Sequence, residues 1–263
     1  MRSPARPLVF ALAVAALLAA RELGGAAAAS AADNDIAFSP GMQQGLFRDF
    51  AAELGLGIAA YQARPAEALG FGVWPGLDVG VEVTAVNIND DRLYWQLALQ
   101  GNDPPSYLPV PKAHLTVGLP LGLDLGALYS AVPSSNIRLW GAEAKWALLR
   151  GNVALPAIAV RGSFTSLEGV DELDMTTRAL DASISKGVGP LTPYVGAGRV
   201  WIVAEPKGTA AAPPPSGLGL AEVHPAEDRL FAGFRLSLAF LSLVAEGSWS
   251  RVPAYTLRLN LSF

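Results

Sequence analysis

The chain has 263 residues, of which 51% are hydrophobic and only 16% are charged, and its formal net charge is −4. It contains no cysteine, which excludes disulfides, thiolate catalysis, zinc–thiolate sites and lipoprotein acylation. A mildly acidic chain without a basic stripe also argues against nucleic acid as a partner.

Residues 1–32 have the pattern of a secretory signal peptide. Arg2 and Arg6 precede an apolar core at 8–20, and Ala29-Ser30-Ala31 offers a small-x-small cleavage site. The alternative is an amino-terminal anchor helix, for which this core is short, because a membrane helix needs about 20 apolar residues. We therefore expect cleavage near Ala32 and a single mature domain at 33–263, of which 33–50 forms a periplasmic lead-in or a short helix begun by Ser39-Pro40.

The rest of the chain is dominated by segments in which apolar and polar residues alternate. A period of two indicates β-strands with one apolar and one polar face. No mature segment has an apolar run long enough for a membrane helix, so the high apolar content is spread over strands, as in a transmembrane barrel. About twelve strands are predicted, at 51–62, 67–74, 77–88, 112–119, 123–132, 137–148, 154–165, 175–186, 192–204, 229–239, 241–250 and 254–263.

The connections between these strands alternate between tight turns, at 73–76, 119–122, 149–152, 187–190 and 240–241, and longer polar stretches, at 63–67, 87–111, 133–136, 167–174, 205–228 and 251–253. This asymmetry is typical of an antiparallel up-and-down barrel with turns on one side and loops on the other. An even strand number predicts that both termini lie on the turn side. Residues 91–100 are ambiguous and could form a loop helix, a strand extension or another hairpin.

Alternation also predicts which side chains line the lumen. The inward set has mixed charges: Glu53, Asp78, Glu82, Lys112, Asp124, Glu143, Lys145, Arg161, Asp181, Arg199, Arg235, Glu246 and Arg258. These charges could form a transverse field that filters polar solutes, or they could neutralise one another in a closed interior. Aromatic residues near strand ends are expected at the membrane interfaces: Trp74, Trp140, Trp146, Trp249 and Tyr255.

No catalytic or metal-binding pattern stands out. His114 and His224 lack metal-ligand spacing, no Gly-x-Ser-x-Gly occurs, and there is no glycine-rich phosphate loop. We therefore expect neither enzymatic activity nor a cofactor. The Pro- and Ala-rich stretch within 205–228 is expected to be a surface loop.

The last strand carries the most specific motif. Tyr255, Leu257, Leu259, Leu261 and Phe263 alternate with polar residues, and the sequence stops on the aromatic residue. In this the chain resembles the porin-like β-barrels of Gram-negative outer membranes, whose final strand typically ends in Phe. The resemblance implies outer-membrane location, contact with outer-membrane lipid, transit through periplasmic chaperones, and recognition of Phe263 by the barrel-assembly machinery.

Three interpretations follow. The first is a narrow channel for passive or selective passage of small polar solutes. The second is a plugged barrel with a structural, adhesion or envelope-integrity role and no transport. The third is a soluble β-sandwich. Outer-membrane phospholipases are also barrels of about twelve strands, but here His114 points inward and no serine is marked as a nucleophile.

Overall fold

The computed structural model of the protein describes residues 36–59, 61–70, 75–99, 104–131 and 137–263. The predicted signal peptide at 1–32 and the predicted interface residue Trp74 lie outside these ranges. Among the described residues, none of the helices is both long and apolar enough to cross a membrane.

Ten antiparallel strands form one closed barrel, in which each strand pairs with its sequence neighbours and β1 pairs with β10. This confirms the predicted all-β up-and-down architecture, with ten strands in place of about twelve. The strands are β1 Gly76–Asn87, β2 Tyr107–Gly118, β3 Leu123–Ala131, β4 Arg138–Arg150, β5 Ala157–Glu168, β6 Leu173–Ser185, β7 Leu191–Pro206, β8 Ala226–Leu238, β9 Leu241–Trp249 and β10 Ala254–Ser262.

The barrel has two different ends. The connections at 119–122, 151–156, 186–190 and 239–240 lie at the turn end and are all short. Those at 88–106, 132–137, 169–172, 207–225 and 250–253 lie at the loop end, which has the two longest. Two short helices lie in the loops: α2 (Leu93–Ala98) and α3 (Gly208–Ala211). The ambiguous segment 91–100 therefore contains a loop helix.

The predicted strand at 51–62 is wrong, because residues 51–58 belong to helix α1 (Gln44–Ile58). Leu54, Leu56 and Ile58 alternate with Glu53, Gly55 and Gly57, which mimics the period of a strand. In the structure all six residues are buried, since the helix lies inside the barrel and has no solvent-facing side there.

The lead-in predicted at 33–50 contains the start of helix α1, and its described residues lie at the loop end and not at the turn end. Residues 36–39 lie at the loop end, where the backbone N–H groups of Ala37 and Ser39 donate to the carbonyls of Ala98 and Leu97 at 3.0 and 2.7 Å. Phe263 lies at the turn end, hydrogen-bonded to Leu77. The first strand begins and the last strand ends at the turn end of the barrel. The described residues before β1, however, run through the lumen to the loop end.

Candidate functional site in the barrel lumen

The loop-side half of the lumen has an apolar wall, which is unusual for a water-filled pore. Helix α1 fills this half with Phe47, Phe50, Leu54 and Ile58, all at most 2% exposed. The helix and the wall form one hydrophobic core, to which the strands contribute Val86, Val110, Leu139, Leu167, Leu173, Met175, Val200 and Ile202.

Helix α1 approaches the wall closely because two of its residues lack a side chain. A Cβ atom built on Gly55 would lie 2.7 Å from three side-chain atoms of Ile202, and one on Gly57 would lie 3.4 Å from Val86. Glycine is less favourable than alanine inside a helix by about 1 kcal/mol. At Gly55 the tight fit against β7 explains why the smallest residue is needed.

Glu53 anchors α1 to the loops. Its carboxylate is fully buried and accepts hydrogen bonds from Tyr94 Oη at 2.6 Å, from Trp95 Nε1 at 2.8 Å, and from Asn89. Arg251 Nε lies 3.7 Å from the same carboxylate. Burial, followed by the bond to Glu53, raises the pKa of Tyr94 to about 12, so this phenol is a neutral donor at physiological pH.

Below the helix, residues 61–70 continue through the lumen towards the turn end. Residues 61–70 form no strand, so their buried backbone groups need other partners. Charged side chains of the wall supply them. The N–H groups of Gln62, Ala63 and Leu69 donate to Glu143 at 3.0 Å, Glu82 at 3.1 Å and Asp124 at 3.1 Å.

The carbonyl groups of the same segment are bound by wall cations. Arg161 donates to the carbonyl of Gln62, and Arg258 donates to that of Ala63 at 3.3 Å. Lys145 Nζ donates to the carbonyls of Pro65 and Glu67 at 2.9 and 2.6 Å. Three N–H groups and four carbonyls of the segment are thus bound by wall side chains, which hold the segment much as a neighbouring strand would.

The wall charges also pair with one another and with side chains of the segment. Lys112 lies 3.0 Å from Glu82, and Arg161 lies 2.9 Å from Asp181. The guanidinium of Arg229 stacks on the Tyr61 ring at 3.5 Å and pairs with Glu246. Seven cations thus meet seven carboxylates: Arg64, Lys112, Lys145, Arg161, Arg229, Arg235 and Arg258 with Glu67, Asp78, Glu82, Asp124, Glu143, Asp181 and Glu246.

Two clefts lie at the turn end. One has a volume of about 330 Å³ and is lined by polar groups that include Arg64, Lys145 and Arg235. The other, of about 570 Å³, lies between Glu67 and the β4–β5 and β6–β7 turns. Both are bounded by residues of the lumen segment. In the described ranges, no three His, Cys, Asp or Glu side chains are grouped so that they could hold a metal ion.

Of the thirteen charged side chains predicted to line the lumen, the structure places eleven inside the barrel on its strands. Ten are at most 7% exposed, and Arg235 is partly exposed at the turn end: Asp78, Glu82, Lys112, Asp124, Glu143, Lys145, Arg161, Asp181, Arg235, Glu246 and Arg258. A solute-filtering role for them stays a prediction. His114 also points inward, with Nε2 3.5 Å from Asp78.

Two predictions about charged side chains need correction. Glu53 is inside the barrel, but on α1 and not on a strand. Arg199 was predicted to point inward, yet it is exposed on the outer face, opposite Asp228 on the neighbouring strand. The inward positions around it in β7 are Gly196, Gly198 and Val200, whose small or apolar side chains weaken the alternation in the sequence.

Sequence reasoning missed Gln62 and Arg64, because it assigned them to a strand end and to a loop outside the barrel. Gln62 accepts a hydrogen bond from Thr116 at 2.8 Å, and Arg64 lies 3.3 Å from Asp124. A helical spacing of Phe47, Phe50, Leu54 and Ile58 was the signal in the sequence that could have moved 51–62 out of the sheet.

The outer face of the barrel is apolar. Large side chains such as Val81, Leu115, Leu180 and Leu257 are exposed along the strands. Trp140, Trp249 and Tyr255 point outward in the loop-side half, and Trp146 points outward near the turn end, where Nε1 donates to the carbonyl of Leu121 at 3.3 Å. Phe263 is half exposed at the turn end; its role as an assembly signal stays a prediction.

A closed barrel with a largely apolar outer face has the architecture of a membrane-spanning β-barrel, in which every strand edge is paired and lipid meets mainly apolar groups.

The chain was also compared with known proteins. No family model matches it, and no curated protein matches it. Among solved structures, it is similar to the amino-terminal barrel domain of Pseudomonas aeruginosa OprF, with 13% identity, 70% of this chain and 97% of that chain covered, and a TM-score of 0.33. It is similar to the KdgM porin in complex with disordered oligogalacturonate (11%, 72% and 99%, TM-score 0.36) and to the attachment invasion locus protein Ail of Yersinia pestis (13%, 72% and 97%, TM-score 0.33).

Proposed function

We propose that this protein is a barrel of the Gram-negative outer membrane whose lumen is closed by its own amino-terminal segment. It acts through its loop-side surface or through its structural contribution to the envelope, without transport. The observation that carries this proposal is the pairing of the backbone of residues 62–69 with charged wall side chains. Groups that would face a solute in an open pore are used instead to hold the chain.

The apolar loop-side lumen supports the same proposal. If α1 left the barrel, Val86, Val110 and Ile202 would face water, and about 25 cal/mol would be lost for each Å² of apolar surface exposed. The buried Glu53 carboxylate would also lose its Tyr94 and Trp95 donors. Opening is therefore costly, and a narrow channel would need a force or a ligand to move the segment.

The test is single-channel conductance in planar bilayers, using a disulfide that locks α1 to β7. The positions are Gly55→Cys and Ile202→Cys, because the Cβ of residue 55 would lie 2.7 Å from both Cγ atoms of Ile202. Residue 55 is thus in direct contact with residue 202, and a small outward shift of α1 would bring the two Cβ atoms to the roughly 3.5–4.5 Å that a disulfide requires. The chain has no native cysteine, so the reduced double variant is a matched control.

We expect silent insertion of the wild-type protein and of both redox forms of the double variant. Glu143→Ala and Arg161→Ala should lower stability without creating openings. If the wild type shows discrete openings that the disulfide abolishes and reduction restores, the closed-barrel proposal is refuted. Openings whose ion selectivity shifts with Glu143→Ala or Arg161→Ala would instead establish the channel interpretation.

A further inference from the structure

The apolar outer face is interrupted at one place. In the ten strands, all of which are described, only Arg178 of β6 and Arg199 of β7 are charged, point outward and lie more than three residues from a strand end. Every other charged side chain of the strands points into the lumen or lies within three residues of its strand end, as Asp228 does opposite Arg199. A charge on the lipid face costs about 2–4 kcal/mol at the bilayer midplane and less towards the interfaces, so the height of this pair and what it binds need an explanation.

The two arginines are neighbours on the same face. Arg178 pairs across the sheet with Trp201, and Arg199 pairs with Leu180, so the arginines occupy diagonal positions. Such positions are about 7–8 Å apart between Cα atoms. Two guanidinium groups at this spacing can both donate to one phosphate, and each has the planar fork that matches phosphate oxygens.

The height of the pair matches the headgroup region of the loop-side leaflet. Arg199 is eight residues from Leu191 at the turn end, which at about 3.3 Å per residue and a tilt of about 40° is roughly 20 Å of an apolar band about 25 Å tall. Arg178 lies between two aromatic residues, Phe164 on β5 and Trp201 on β7. Tryptophan is enriched at this level of a barrel.

We propose that Arg178 and Arg199 form a binding site on the outer face of the barrel for the phosphate group of a lipid headgroup in the loop-side leaflet. The surroundings favour a lipid over a protein partner, because exposed Leu180, Val195 and Trp201 flank the arginines and leave apolar surface for acyl chains. Asp228 lies 3.5 Å from Arg199, yet it is 80% exposed, so it can move aside when a phosphate binds. The site rests on the proposed membrane insertion, in which the loop side faces the outer leaflet and its phosphorylated glycolipid.

The test is native mass spectrometry of the purified protein titrated with bisphosphorylated lipid A, with inorganic phosphate in a parallel arm. Arg178→Gln/Arg199→Gln is compared with Arg138→Gln/Arg150→Gln, which removes the same charge from residues at strand ends. All proteins are first checked for insertion into phosphatidylcholine vesicles by heat-modifiable gel mobility. A protein that does not insert would contradict the proposed function and not this site.

We expect the wild type and the Arg138/Arg150 variant to retain one lipid A molecule. The Arg178/Arg199 variant should bind it at least about tenfold more weakly, a loss of ~1.4 kcal/mol in binding free energy. Inorganic phosphate should not compete, because it lacks acyl chains. Equal retention by both variants would overturn the site. Binding of inorganic phosphate with the same affinity would make it a free-anion site, and a dimer lost in the Arg178/Arg199 variant would make it a protein interface.

Discussion

Replacing Glu53 by leucine should release α1 from the loop end without opening the barrel wall. The substitution keeps a side chain of similar size but removes the carboxylate that accepts hydrogen bonds from Tyr94 Oη, Trp95 Nε1 and Asn89. Each buried donor left without a partner costs about 1–3 kcal/mol. Loss of the whole group should therefore cost about 3–5 kcal/mol, which is the range for breaking a buried charged pair.

The effect is measurable by hydrogen exchange of the amides in α1, which reports local opening separately from global unfolding. A loss of about 3–5 kcal/mol predicts roughly 10²- to 10³-fold faster exchange or more, at ~1.4 kcal/mol for each factor of ten. The strand amides of the barrel should change much less, because their ladder hydrogen bonds do not involve Glu53.

Asp49→Asn is the matched control, since Asp49 lies on the same helix and accepts a hydrogen bond from Arg251 at 2.8 Å. This pair is partly exposed and should contribute no more than about 1 kcal/mol. Exchange in α1 that is equally fast in Asp49→Asn and Glu53→Leu, or unchanged in both, would refute the anchoring role of Glu53.

Two further predictions test how the segment lies in the lumen. Gly55→Ala should speed exchange in α1, because overpacking against Ile202 costs about 1–3 kcal/mol. In an Ile202→Ala background the same change should slow exchange, because alanine has a better helix propensity than glycine by about 1 kcal/mol. Faster exchange in both backgrounds would contradict the contact between residue 55 and Ile202. A membrane-impermeant maleimide applied to intact cells should label Gly45→Cys. The controls are Ser216→Cys at the loop end, which should also be labelled, and Val153→Cys at the turn end, which should not. Labelling of Gly45→Cys that follows Val153→Cys and not Ser216→Cys would place α1 on the turn side.

Strand positions could be predicted well from the sequence, because lipid outside and a polar lumen inside impose a strict period of two. In β4, Trp140, Ala142 and Ala144 alternate with Gly141 and Glu143, and the structure keeps this alternation up to a bulge near the turn end that shifts the pairing with β5. The same rule applies to β10. Each of these strands meets two different environments, so its pattern is unambiguous.

Helix α1 is harder to recognise, since its environment is apolar almost all round and only the spacing of its largest apolar side chains indicates a helix. An amphipathic helix shows a period of 3.6 only when one side meets water. Inside the lumen Leu56 and Ile58 pack as tightly as Phe50, and Gly55 and Gly57 mark close contacts with the wall and not strand positions. The alternation of large residues with glycines in this helix therefore reflects its contacts with the barrel wall and not the period of its backbone.

The lumen charges show why sequence could not decide between an open and a closed interior. Both alternatives require the same inward Glu and Arg residues, because charges must avoid lipid in either case. An open lumen differs from a closed one in whether space remains for water, and the glycines that point inward show what occupies that space. A Cβ on Gly126 would lie 2.7 Å from Nε2 of Gln62, so the wall is thinned at the point where the segment passes. A barrel of this size leaves room inside that its own side chains do not fill; Gly126 and the charges that bind Gln62 and Ala63 indicate that this room is shaped for a peptide chain.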